Sequence, residues 1–255
     1  AIAQQPTAVL QGKIIRIKSN LIEAEINTVG GDISYLALLR HPDTQDKTKP
    51  LVLLQRGSGT HNYAAQSGLL GEGLPTHNSI FISEQDHYEF SGNESQLQVR
   101  LKASDESALK VTKIITIKRD SYLMDVGYEL ENAGQQAVDV SSYFQLIRDS
   151  KEPEGGSVFL PTYTGAAIYT DKDKFQKIAF SDIEQNKTEY PKQTNDGWVG
   201  LLQHYFVAAW LPKEGSPREF FTRKLDGNIY SAGVILPALN IKSGEKATLG
   251  TTLYA

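Results

Sequence analysis

The chain contains no cysteine, so disulfides, thiol nucleophiles and cysteine-ligated metals are excluded from the start. Their absence leaves the compartment open, because such a chain suits oxidising and reducing surroundings alike. Methionine occurs once and tryptophan twice. No apolar run approaches the roughly 18 residues that a membrane-crossing helix needs. The opening Ala1-Ile-Ala-Gln-Gln-Pro-Thr7 has neither a start methionine nor the apolar centre of a signal peptide, so the sequence reads as a soluble piece of something longer. A basic surplus is also missing. The formal net charge is −4, the pI lies near 5.8, and Lys and Arg are scattered, which argues against a nucleic-acid partner.

What the chain has in abundance is β-forming sequence. Twenty-one glycines punctuate segments rich in Val, Ile, Thr and Tyr, and 255 residues suffice for one all-β unit with a large core. Residues 1–12 carry no sustained period and are expected to be a flexible lead-in to a single domain over 13–255. Alternation then predicts strands at Lys13 to Lys18 and Leu21 to Thr28, the second with Ile22, Ala24 and Ile26 set against Glu23, Glu25 and Asn27. The pair Gly30-Gly31 breaks that strand, as residues free to take positive φ do at a tight turn. Gly57 to Asn78 reads as a loop. Further strands are expected around Ser79 to Ile82, Tyr88 to Phe90, Gln96 to Leu101 and Leu109 to Ile117. The clearest pattern of all runs through Met124, Val126, Tyr128 and Leu130, followed by Val138 to Leu146.

One stretch departs from the two-residue period. In Asp196-Gly-Trp-Val-Gly-Leu-Leu-Gln-His-Tyr-Phe206, Trp198, Leu201, Leu202, Tyr205 and Phe206 fall at helical spacing, with Asn195 or Asp196 as a cap. The expectation is a short helix feeding into a buried strand that ends at Pro212, with Trp198 and Trp210 packed together at the joint. Asp149 to Ser157 is expected to be an exposed loop, and Tyr163 to Tyr169 a segment of small residues flanked by tyrosines. Lys172 to Gln193 suggests a strand or two at a sheet edge.

The search for chemistry returns little. The glycines of 57–78 lack the Lys-Ser/Thr ending and strand-to-helix setting of a phosphate cradle. The five histidines, at 41, 61, 77, 87 and 204, have no metal-ligand spacing, and no serine sits in a nucleophile elbow. Glu84, Asp86 and Glu89 fit a solvated strand face as well as they fit an acid–base pair. No cofactor or metal is therefore expected. Twelve tyrosines leave room for a groove that takes sugar or extended peptide.

A resemblance spans nearly the whole chain. Glu25-Ile-Asn-Thr-Val-Gly-Gly-Asp-Ile33, Ala65-Gln-Ser-Gly-Leu69, Lys118-Arg-Asp-Ser-Tyr122, Glu131-Asn-Ala-Gly134, Tyr163-Thr-Gly-Ala-Ala167 and Gly197 to Trp210 resemble, in order, the large periplasmic domain of the YidC family of bacterial inner-membrane protein insertases. Gly30, Gly31, Gly165, Trp198, Tyr205, Phe206 and Trp210 stand at the motif positions, in structural roles. The resemblance implies a mainly β fold, a β-supersandwich of antiparallel sheets similar to galactose mutarotase, with one or two short helices. It implies a noncatalytic role at the periplasmic face of the inner membrane, assisting membrane protein insertion and folding. Partners in the intact protein would be the Sec accessory subunits SecD and SecF and nascent membrane proteins, with the isolated domain monomeric. The competing expectation is a carbohydrate binder or aldose epimerase-like protein on the same fold, for which a histidine among 77, 87 and 204 would face a carboxylate.

Overall fold

A computed structural model describes residues 12–57, 61–104, 107–151, 163–203 and 205–255. The expected lead-in at 1–11, most of the expected loop after Asp149, and His204 lie outside them. The strands of the first half are β1 (Ile14–Lys18), β2 (Ile22–Asn27), β3 (Asp32–Pro42), β4 (Pro50–Gln55), β5 (Tyr63–Leu70), β6 (Phe81–Ser83), β7 (His87–Glu89), β8 (Gln96–Ala103) and β9 (Leu109–Lys118). Those of the second half are β10 (Leu123–Asn132), β11 (Val138–Asp149), β12 (Thr164–Thr170), β13 (Lys174–Ile178), β14 (Gln193–Thr194), β15 (Trp198–Gln203), β16 (Phe206–Leu211), β17 (Arg218–Lys224), β18 (Ile229–Ile241) and β19 (Lys246–Tyr254). A short α-helix, α1 (Phe180–Glu184), follows β13, and a 3-10 turn at Asp226–Asn228 joins β17 to β18. Among the described residues no helix is long and apolar enough to cross a membrane.

Two sheets share one hydrophobic core. The ten-stranded sheet runs β14-β17-β18-β11-β5-β4-β3-β2-β1-β7 and the nine-stranded sheet β13-β12-β15-β16-β19-β10-β9-β8-β6. Among the described residues all strand pairings are antiparallel except β1 with β7. Alternation decides which side chains enter the core. Met124, Val126, Tyr128 and Leu130 of β10 point inward while Asp125, Glu129 and Glu131 face out, as read from the sequence. The β2 pattern also holds, and Gly30 and Gly31 turn the chain into β3 with φ of 76° and 62°.

Two expectations fail. Gly57 to Asn78 is not all loop, because β5 lies within it, between β11 and β4 in the ten-stranded sheet. Its small residues look loop-like because large rings from a neighbouring strand occupy the space above them: a Cβ on Gly68 would run into the Tyr143 ring.

The helix at 196–206 is absent. Trp198–Gln203 and Phe206–Leu211 are β15 and β16, an antiparallel pair in the register Val199↔Trp210, Leu201↔Ala208 and Gln203↔Phe206. The apolar spacing fits both periods, and pairing of β15 with β12 on its other side settles the choice. Val199, Leu201, Ala208 and Trp210 are buried in the core, whereas Trp198 lies on the opposite side of the sheet. The two tryptophans therefore do not pack together. Asp196 caps no helix; its carboxylate accepts from the Asp171 amide at 2.6 Å and from the Thr194 hydroxyl.

Candidate binding surfaces

The face of the ten-stranded sheet turned away from the core carries a built polar row. Register places Phe221 beside Gly233, Gly233 beside Gln145, and Gln145 beside Gln66. Phe221 covers Gly233, where a Cβ would strike its ring. The amides then form a relay: Gln145 Nε2 donates to Gln66 Oε1 at 3.0 Å, and Gln66 Nε2 donates to Asp32 Oδ2 at 2.6 Å. Arg56 Nη1 reaches the same carboxylate oxygen at 3.0 Å. Asp32 Oδ1 is buried without a partner. Burial pushes the Asp32 carboxyl up to about 6, against the opposing pull of Lys113, Gln66 and Arg56.

In the adjacent row Glu219, Ile235, Tyr143 and Gly68 are neighbours. Tyr143 OH receives the His77 backbone N–H at 3.2 Å and bonds the His77 ring at Nδ1. Burial, with Arg56 and Lys113 nearby, lowers the His77 pKa. A cleft of about 580 Å³ continues this face, lined by Gln193, Asn195, Pro217, Glu219, Ile235 and Pro237. Beneath the row, Lys113 of β9 spans the core to donate from Nζ to the Gly30 carbonyl at 2.8 Å. Its ammonium lies 5.8 Å from the Tyr128 ring centroid, and burial brings its pKa down to about 8.

The second surface is the β13 end of the nine-stranded sheet. Trp198 stacks on its cross-strand neighbour Tyr169, ring centroids 6.1 Å apart and planes 10° from parallel. Phe175 of β13 closes on Trp198 at 6.0 Å and is 44% exposed. Strand β13 ends its sheet, so its outer edge is unpaired among the described residues, and Lys174 and Lys177 lie along it.

The remaining motif positions are scattered. Gly165 lies under the Tyr163 hydroxyl, Phe206 packs edge-on against His41 at 5.6 Å, and Tyr205 is 84% exposed at the β15–β16 turn. Of the other histidines, His61 approaches Asp149 at 3.7 Å and His87 sits in the open beside Glu89. Glu84 is exposed and paired with Lys102 at 3.0 Å. Among the described residues no three His, Asp or Glu are grouped to hold a metal ion.

Sequence reasoning gave no site role to Lys113, Tyr143 or Phe175, nor to Asp32 and Gln66, which stand in the family-like segments. Lys113 had a visible signal, since it occupies the inward phase between Val111 and Ile115, where a charged residue needs an explanation. Gln66 and Tyr143 had none, because their convergence depends on which strands become neighbours.

The family model for the YidC periplasmic domain matches residues 14–255. This chain belongs to that family. Similar curated proteins include the membrane protein insertase YidC of Nitrosospira multiformis, 47% identical over 244 residues, covering 96% of this chain and 43% of that protein. Another is the YidC of Nitrosomonas europaea, 44% identical over 252 residues, covering 98% and 41%. The chain thus spans less than half the length of these relatives. In structure it is similar to a galactose mutarotase related enzyme from Lactobacillus acidophilus, with a TM-score of 0.57 at 12% identity over 94% of this chain and 96% of that one. A galactose mutarotase-like protein from Lactobacillus casei gives 0.56 at 10% identity, over 94% and 99%. At such identities the likeness speaks for the fold alone.

Proposed function

We propose that this chain is a noncatalytic protein-docking domain of a membrane protein insertase, held at the periplasmic face of the inner membrane. It assists insertion and folding by contacting the Sec accessory subunits SecD and SecF and nascent membrane-protein segments. The observation that carries the reading is the β13 edge with its ring platform. An unpaired strand edge offers N–H and C=O groups to an added strand, and the side chains beside it select which strand adds. Lysines alone would only protect an edge from self-pairing. The Tyr169, Trp198 and Phe175 rings go further, giving an incoming strand an apolar anchor of the kind that dominates interface energy.

The test is a pull-down of SecD and SecF with the chain and with Phe175→Ala and Lys177→Glu variants. Capture that falls at least tenfold in the variants is expected. No enrichment over an unrelated β-sandwich would refute the partner assignment, and equal capture by the variants would refute the surface.

A second reading has one observation in its favour. Asp32, whose carboxyl burial pushes up to about 6, and His77 share one face, as a sugar-ring acid and base would. Polarimetry of aldose mutarotation, with Asp32→Asn and His77→Ala, separates the two readings. A rate above buffer that both changes abolish supports the enzyme, and a rate equal to buffer rejects it.

A further inference from the structure

We propose that a slot over Gly127 and Gly250, on the side of the nine-stranded sheet turned away from the core, binds an extended peptide segment. That segment carries an aromatic side chain and, two residues away, a carboxylate. The slot lies apart from the β13 edge, and its occupant is independent of any strand added there.

Register builds the slot. Gly250 of β19 faces Gly127 of β10, and Gly127 faces Ile114 of β9. Leu211 of β16 faces Thr252, and Lys213, two residues on, flanks the glycine pair from that side. The groove so formed holds about 470 Å³, with Ile114 towards one end and Lys213 towards the other. Because Val199 faces Trp210, Leu211 comes beside Trp198, and the slot continues from the ring platform.

The floor calls for a ring. Three other strand glycines lie under one: a Cβ would meet Tyr143 at Gly68, Tyr163 at Gly165 and Phe221 at Gly233. At Gly127 and Gly250 the nearest atoms all belong to the backbone of the facing strand, led by Leu249 O at 2.6 Å and Val126 O at 2.9 Å. A ring laid on the pair supplies the cross-strand contact that two glycines cannot make.

Charge selects what accompanies the ring. Asp125 accepts the Thr252 hydroxyl at 2.7 Å and lies 3.7 Å from Lys118, and Glu129 is held by Arg100. Among the described residues, Lys213 is the charged group lining the slot that has no ionic partner. Its backbone is fixed, since Arg218 donates to the carbonyls of Pro212 and Lys213 at 3.3 and 2.6 Å. A carboxylate therefore complements the slot, whereas a sugar would find Asp125, Thr252 and Glu129 already engaged. Neighbouring strands lie about 4.8 Å apart, which sets the middle of the glycine pair about 7 Å from the strand line of Lys213. Side chains two apart on an extended segment point the same way at about 6.7 Å, so ring and carboxylate belong at positions i and i+2.

The test titrates the whole chain with the capped peptide Ser-Thr-Phe-Thr-Asp-Thr-Ser, followed by amide NMR. Shifts centred on Gly127, Gly250 and Lys213 are expected, saturating below about 1 mM. Changing the peptide's Phe to Ala or its Asp to Lys should weaken binding at least about tenfold, as should Lys213→Glu. A side chain at either glycine would endanger the fold. Exposed Thr248, two residues from Gly250, gives the second variant: in Thr248→Trp the protein's own ring fills the seat and should weaken the peptide about tenfold. Phe175→Ala should leave the affinity unchanged. Loss of binding in Phe175→Ala would move the peptide to the β13 edge and overturn the slot while supporting the docking reading. Equal binding of the Ala or Lys peptides, indifference to Lys213→Glu, or the same shifts with free aldohexose would also overturn it. So would shifts at the glycines that grow with protein concentration alone, which would give the slot to a second copy of the chain.

Discussion

Replacing Trp210 by alanine tests the assignment of Gly197 to Pro212 as a strand pair. Trp210 is 1% exposed, heads the buried side chains by size, and packs its ring 5.2 Å from that of Phe144. Truncating a buried tryptophan removes its transfer energy and leaves a cavity, together about 3–5 kcal/mol. One feature acts in the other direction: the indole Nε1–H is buried without a partner. Deleting an unsatisfied donor returns about 1–3 kcal/mol, so a net loss of about 2 kcal/mol is expected. In urea this is a midpoint lower by about 0.7 M, at a slope of roughly 3 kcal/mol/M. Trp210→Phe keeps a ring and loses the orphan donor, and should cost under about 1.5 kcal/mol. Trp198→Ala should also cost under about 1.5 kcal/mol, because its ring contacts are made on the outer face. If Trp198→Ala proved the more damaging of the two, the inward phase of the hairpin would be reversed and the strand assignment would fail.

Other expectations follow from local geometry. Gly197 has φ of 85° and its missing Cβ would collide with the Tyr169 carbonyl, so Gly197→Ala should cost at least about 2 kcal/mol by calorimetry; a neutral result would mean that the turn relaxes freely. Arg218 is 3% exposed and donates to the carbonyls of Gly197, Asn195, Pro212, Lys213 and Ser216. Arg218→Met strands these acceptors and should lower stability by about 3 kcal/mol in chemical denaturation, with less than about 1 kcal/mol counting against the hub. Asp32 has a folded pKa raised to about 6, so its contribution to stability is full below the unfolded value and is lost as pH rises through 6. Between about pH 4 and pH 6 the native chain should lose about 3 kcal/mol relative to Asp32→Asn, and parallel pH curves for the two would refute the burial argument.

Much of the fold was legible because a sandwich writes its faces into a two-residue period. The strands around Met124 to Leu130 and Ile22 to Ile26, and the turn at Gly30-Gly31, follow from single-chain patterning. Where reading failed, the deciding partner was remote in sequence. Strand β5 resembles a loop because its small residues answer to Tyr143, more than seventy positions away. The hairpin 198–211 resembles a helix because Trp198, Leu201 and Leu202 satisfy the helical spacing while Gly200, Ala208 and Ala209 satisfy the sheet. Only the neighbouring β12 and β19 select between them.

The surfaces were less legible than the fold, for a related reason. Trp198 was visible as a motif residue, yet its value as a platform depends on Tyr169 and Phe175 arriving beside it from two other strands. Gln66, Gln145 and Asp32 form a relay only because β11 pairs with β5 and β3 lies close enough for one amide to bridge the gap. Lys113 is the exception, a charge placed on the inward phase of an otherwise apolar strand. Such a phase violation marks a position where the core tolerates a cost, and here the cost falls on the turn that joins the core to the outer face. The motif glycines at 30 and 31 thereby acquire a physical meaning beyond the turn itself. A Cβ on Gly30 would strike the His77 carbonyl and Asp32 Oδ1, and one on Gly31 would strike Leu101 and the Lys113 stem, so any side chain there would displace the 76–79 loop and both buried charged residues.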